Sequence, residues 1–234
     1  MNNLVTIPFF IVNPKSYLYG DELLQLAQKA DQLAKKYDVT IFITAPYADI
    51  SAVSHHTNHL IVTAQHMDGI YCGRGMGAVL PESIHHAGAK AVFLNHAEHP
   101  LSLSALVASI EAAKRLSMIT IVCADSLKEA KAVAELSPDI LLCEPAELIG
   151  KGKTSDISYM QETTRVIREI DPDILVMQAA GIHEAADVYK VISLQADGTG
   201  CTSGIVCAKQ PLQAVEDMIK AMVQAYEERG DIHD

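Results

Sequence analysis

The residue most able to do chemistry in this chain is Glu144, because of what surrounds it. Before it stands Asp139-Ile140-Leu141-Leu142-Cys143, a short apolar run after Pro138 that reads as a buried strand. Pro145 follows and stops the ladder, since it has no N–H and a fixed φ. Leu148, Ile149, Gly150 and Gly152 come next, in a loop that ends near Thr154. A carboxylate at a strand tip, followed by a glycine-hinged loop with apolar residues, has the layout of a base under a lid. Alone, the stretch fits a surface carboxylate beside an ordinary loop at least as well. Gly152-Lys153-Thr154 is not a nucleotide-binding loop, because that motif needs a glycine five residues earlier and Glu147 stands there. The histidines at 55, 56, 59, 66, 85 and 86 lack His-Glu-x-x-His or similar metal spacing, so they are assigned to helix and loop surfaces.

The elements around Glu144 alternate regularly. Strands are expected at Leu4–Asn13, Val39–Ala45, Leu60–Gln65, Ala91–Asn95, Met118–Cys123, Ile140–Cys143, Asp173–Met177 and Asp197–Cys201. Helices are expected between them. One is capped by Asp21, one begins at Ser102, one opens on a Ser126/Glu129 capping box, and one starts at Pro211 and stops at Gly230. The strands are apolar throughout, as in a parallel sheet covered by helices. Eight such units in 234 residues predict an α/β fold of the closed (β/α)8 barrel type, with a doubly wound open sheet as the alternative. A single domain over residues 1–234 is expected, without linker, low-complexity segment or repeat.

In a barrel, function sits at the carboxyl ends of the strands. Asn13-Pro14-Lys15 follows strand one, Asn95-His96-Ala97-Glu98 strand four and Glu144 strand six. Ala180-Gly181-Ile182 follows strand seven, and Cys201-Thr202-Ser203-Gly204 strand eight. A lysine, a histidine and a glutamate thus converge on one mouth, facing two small-residue turns whose N–H groups suit a phosphate. Each has an ordinary reading as a surface lysine, a satisfied histidine or a plain turn, but together those readings require a coincidence at one face.

Composition narrows the partners. The formal charge of −11 disfavours nucleic acid and anionic membranes. Apolar residues make up 49% of the chain, which argues against disorder, and the scarcity of aromatics predicts a barrel interior of Ala, Val, Ile and Leu. Five cysteines with no close pair and no signal peptide point to reduced thiols and a cytoplasmic location.

The chain resembles the triosephosphate isomerase family in its shorter, archaeal-type form, over nearly its whole length. The resemblance rests on Asn13-x-Lys15, Ala64-Gln65-His66, Leu94-Asn95-His96-x-Glu98, Glu144-Pro145-x-Glu147-Leu148-Ile149-Gly150-x-Gly152, Ala180-Gly181-Ile182 and Ser203-Gly204. It implies a TIM barrel that interconverts dihydroxyacetone phosphate and glyceraldehyde 3-phosphate through an enediolate. It further implies Glu144 as the carbon base, His96 as the neutral electrophile, and Lys15 as electrostatic partner of the substrate. Asn13 positions nearby, and Glu98 pairs with Lys15. Ile149 and Gly150 lie on the closing loop, and Gly181, Thr202, Ser203 and Gly204 hold the phosphate. That division of labour among base, histidine and lid is the standard description of the family. No metal or organic cofactor is implied. The glycine-rich loop from His66 to Leu80 implies a homodimer, with a homotetramer as the alternative.

The sequence departs from the family's usual pattern at several of these places. Ala97 stands where Ser is usual, Met76 where Thr is, Ala179 where Gly is, and His183 where Ser is. Lys151 lies in the lid, and Thr202 replaces Ala in a phosphate turn. These departures predict either triose isomerisation below the diffusion limit or better activity on another short sugar phosphate, such as a tetrose phosphate. A non-catalytic sugar-phosphate-binding protein is the third reading, and retention of Glu144 argues against it.

Overall fold

A computed structural model describes residues 5–144 and 157–230. The described strands are β1 Phe9–Val12, β2 Thr40–Ala45, β3 Leu60–Ala64, β4 Ala91–Leu94, β5 Ile119–Ala124, β6 Ile140–Cys143, β7 Leu175–Gln178 and β8 Gly198–Cys201. They close into a parallel barrel in chain order, with β1 pairing both β2 and β8. The helices are α1 Gly20–Tyr37, α2 Ile50–His56, α3 Pro81–His86, α4 Leu103–Arg115, α5 Leu127–Ala134, α6 Ile157–Ile170, α7 Ala185–Ser193, α8 Ser203–Val206 and α9 Pro211–Gly230. The closed (β/α)8 barrel is therefore the fold, and the open sheet is excluded.

Every residue of β1 is buried because the two faces of the strand meet different layers. Phe9 and Ile11 face the barrel interior with Phe42, Phe93, Ile121, Leu142 and Met177. Phe10 and Val12 face outward into the layer shared with the helices. The expected interior of Ala, Val, Ile and Leu is corrected here: three of the four phenylalanines fill the barrel, and Phe9 meets Phe42 edge-on at 5.7 Å. β8 makes the room. A Cβ on Gly198 would lie 2.3 Å from the Phe9 ring, and one on Gly200 would lie 2.6 Å from the Ile11 carbonyl. Gly198 is thus the counterpart of the Phe9 ring on the neighbouring strand, and Gly200 of Ile11 and Met177.

Several expected boundaries shift for local reasons. Pairing in β1 begins only at Phe9, after Pro8, which offers no N–H; the expected start at Leu4 lies outside the described residues. β7 begins at Leu175 because Asp171 holds a turn, its carboxylate accepting from the Asp173 N–H at 3.0 Å. Asp21 does not cap α1. The cap position is Tyr19, without a side-chain bond, and the Gly20 N–H donates to Asp49 from the neighbouring segment at 3.2 Å. Ser126 does cap α5, accepting from the Glu129 N–H, while Glu129 reaches back one residue further than expected, to the Asp125 N–H. The expected turn at Ser203 winds into the short helix α8.

The candidate active site

Glu144 continues β6 by one residue, its N–H donating to the Ala124 carbonyl of β5 at 3.1 Å. The ladder therefore fixes where this carboxylate stands. The wall around it is partly apolar, with Ile11, Phe93, Leu142 and Met177 lining the same cavity of about 230 Å³. Burial there raises the Glu144 carboxyl above its ordinary range; Lys15 opposes this, and Asp125 and Glu98 add to it. A raised carboxylate in a site that excludes water is a stronger carbon base than one in solvent.

His96 faces the same cavity from the end of β4. Asn95 precedes it with a φ of +58°, a left-handed turn that its own side chain supports. Its amide donates to the Cys123 carbonyl at 3.1 Å, and its oxygen accepts from the Leu101 N–H at 3.0 Å. The Glu98 N–H donates to His96 Nδ1 at 3.0 Å, so the ring's own proton belongs on Nε2. Burial lowers the His96 pKa, the Lys15 charge lowers it further, and Glu98 opposes both. The ring is thus a neutral donor at neutral pH.

Lys15 has a φ of +48° after β1, unusual for a long side chain. Three contacts hold it there. The Lys15 N–H donates to Asn13 Oδ1 at 3.2 Å, Gln65 Nε2 donates to the Lys15 carbonyl at 2.7 Å, and Thr44 Oγ1 anchors Asn13 Oδ1 at 2.7 Å. Its ammonium meets Glu98 Oε1 at 2.8 Å. Burial raises the Glu98 carboxyl, but the Lys15 hydrogen bond and charge outweigh it, with His96 adding to them, and hold it low. Gln65 belongs to the Ala64-Gln65-His66 motif, but its hold on Lys15 was not legible; Thr44 was missed outright. The available signal was position, since both lie at carboxyl ends of strands.

Of the remaining expected residues, Asn13, Gly181, Thr202 and Ser203 line the cavity. Gly204 does not. It is buried beneath the wall, where a Cβ would lie 2.2 Å from the His183 carbonyl, so it lets α8 approach the turn after β7. Ile149, Gly150 and the lid from Pro145 to Thr154 lie outside the described residues. Cys201 lines the cavity, and burial pushes its thiol up to about 11, which leaves it protonated and inert at neutral pH. A second cavity of about 220 Å³ adjoins the first, sharing Lys15, His96 and Glu98 and extending to Tyr47, His66 and His99. Among the described residues no group of three or more His, Cys, Asp or Glu side chains could hold a metal ion, and no helix is long and apolar enough to cross a membrane.

The site thus holds a desolvated carboxylate, a neutral imidazole with its N–H available and a paired lysine around one cavity, beside two turns of small residues. Comparison with known proteins agrees with that chemistry. The family model described as triosephosphate isomerase matches residues 8–222. The chain is 35% identical to a triosephosphate isomerase of Sulfolobus acidocaldarius, over 96% of this chain and 99% of the relative. It is 34% identical to those of Methanobacterium bryantii, over 94% and 99%, and Methanocaldococcus jannaschii, over 90% and 98%. A barrel carrying these residues in this order, matched along nearly its full length, belongs to the triosephosphate isomerase family.

Proposed function

We propose that the chain interconverts dihydroxyacetone phosphate and glyceraldehyde 3-phosphate, with Glu144, His96 and Lys15 as its catalytic residues. The observation that carries the reading is the protonation pattern: burial raises Glu144 and lowers His96, while the Glu98 N–H directs the ring proton to Nε2. The Glu144 carboxylate takes a proton from the carbon next to the substrate carbonyl. The electron pair of that C–H bond forms the enediolate double bond, and charge moves onto the carbonyl oxygen. Nε2–H of His96 and the Lys15 ammonium hold that charge. His96 Nε2 gives its proton to the former carbonyl oxygen and takes the hydroxyl proton from the adjacent oxygen, which becomes the new carbonyl. The carboxylic acid of Glu144 returns the carbon proton to the former carbonyl carbon, and the isomerisation is complete without net redox change. Asn13 orients Lys15, Glu98 pairs it, and Gly181, Thr202 and Ser203 border the phosphate, with Gly204 setting their packing. Ile149 and Gly150 belong to the closing loop in this reading.

The test is a panel of purified protein with triose and tetrose phosphates. Faster conversion of triose phosphate supports the reading. Preference for the tetrose would assign Ala97, Met76, Lys151, His183 and Thr202 to a different short sugar phosphate. Binding without turnover of either would indicate a non-catalytic homologue.

The protein acts on this small anionic substrate as a homodimer or homotetramer in the cytoplasm, as one domain over residues 1–234. Met76 is fully exposed in the loop between β3 and α3, with Tyr71 also exposed, and both suit a contact with a second copy. Light scattering of the parent and of Met76→Asp tests this. A mass that falls toward the monomer in the variant supports it, and a monomeric parent contradicts it.

A further inference from the structure

The turn after β7 supplies few main-chain donors to an anion. The Ile182 N–H donates to the Ala179 carbonyl at 3.4 Å. The His183 and Glu184 N–H groups both donate to the Asp187 carboxylate, at 3.0 and 3.1 Å. Three successive amides are thereby engaged, and Asp187 adds a negative charge to the same turn. The turn is also held from β8, where Cys201 Sγ donates to the Ile182 carbonyl at 3.2 Å and Gly204 packs against the His183 carbonyl.

Charge deepens the shortage. The described ionised groups on the cavity wall are Lys15, Glu98 and Glu144, one positive and two negative. A phosphate ester brings a further charge near −2 at neutral pH. Lys15 already shares its charge with Glu98 at 2.8 Å. His183 is the exposed polar residue of the turn that lines this cavity, and its imidazole has no hydrogen-bond partner among the described residues.

We propose that the His183 side chain is a substrate-binding group that donates a charge-assisted hydrogen bond to the phosphate, replacing main-chain donors that Asp187 withholds. This rests on the proposed function for the identity of the substrate, but not for the anion itself. The backbone of residue 183 is clamped on both sides, so the ring projects from a fixed point, and its contribution falls on binding rather than on the carbon acid. A serine in this place would offer its hydroxyl on a shorter side chain.

The test compares the parent with His183→Ser, His183→Gln and His183→Lys. Calorimetry with inorganic phosphate measures the anion site, and steady-state kinetics with triose phosphate separate KM from kcat. The Ser and Gln variants should bind phosphate about 10-fold more weakly and raise KM alike, with kcat within about twofold of the parent, while Lys keeps near-parental affinity. Equal phosphate affinity in all four proteins would overturn the assignment. So would an equal loss in all three variants, which would point to packing, or a fall in kcat at unchanged KM. If the parent fails to isomerise triose phosphate but the calorimetric pattern holds, the catalytic reading fails and the anion assignment stands. If turnover is normal and phosphate binding ignores residue 183, only the assignment falls.

Discussion

Both ends of this barrel hold buried or half-buried carboxylates, and they use them in opposite ways. At the amino ends of the strands, Asp197 accepts from the Val176 N–H and from Arg168, each at 2.8 Å, and Asp139 accepts from the Thr120 N–H and hydroxyl, each at 2.8 Å. Those oxygens are spent on donors that tie neighbouring strands and helices together. At the carboxyl ends, Glu144 shares a cavity wall with Leu142 and Met177, and burial lifts its proton affinity. The same functional group is a rivet where described donors satisfy it and, in the proposed reading, a base where none of the described donors reaches it. Lys15 and Arg168 differ likewise: Arg168 is pinned to Asp197, whereas Lys15 pairs with the largely exposed Glu98 at the cavity.

The strongest way to break this contrast is at the base. Glu144→Gln should fold and lose about 10³-fold or more in kcat, since an amide cannot accept the proton. Near-normal turnover would remove the role. Asp197→Ala, at the other end, should do the reverse. It strands the Val176 N–H and the Arg168 charge, and should cost about 3 kcal/mol in denaturant unfolding while the folded protein keeps its kcat. Lys15→Ala should weaken phosphate-analogue binding and slow turnover together, by about 10²-fold in kcat/KM; analogue binding equal to the parent's would contradict its place at the anion. Gln65→Ala sharpens the comparison further. It releases the Lys15 carbonyl and should lower kcat/KM about 10-fold through misplacement alone, with unfolding almost unchanged.

The smallest effect is on pH-dependent stability, and its sign follows from burial. Glu144 has a raised pKa in the folded chain, so between its unfolded and folded values the folded state binds more protons. Stability from this group therefore falls as pH rises through that window. His96 has a lowered folded pKa, so the unfolded chain binds more protons between the two values and stability rises with pH there. Glu144→Gln should remove the first dependence and be slightly more stable than the parent at neutral pH. Chemical denaturation across pH measures both, and a variant less stable at neutral pH would contradict the sign.

The barrel was legible because eight apolar runs alternate with helical stripes, a pattern set by two-sided burial of each strand. The convergence of Lys15, His96 and Glu144 on one cavity was legible because each follows a strand end directly. What escaped were partnerships that depend on the third dimension. Thr44 sits on β2 and Gln65 just after β3, far along the chain from Lys15, and they become its supports only once β1, β2 and β3 lie side by side. The phenylalanine-filled interior escaped for a similar reason, since the space for Phe9 comes from Gly198 on the strand that closes the barrel. Gly204 was legible as a turn glycine, but its service to the His183 carbonyl was not.

The central claim is that Glu144, made basic by its apolar surroundings, takes a proton from carbon. Proton NMR of dihydroxyacetone phosphate in heavy water follows that atom directly. The parent should place deuterium on the carbon beside the carbonyl at a rate comparable with turnover, and Glu144→Gln should leave that position protonated over the same period. Exchange of equal rate in both proteins, or isomerisation by Glu144→Gln at the parent's rate, would contradict it.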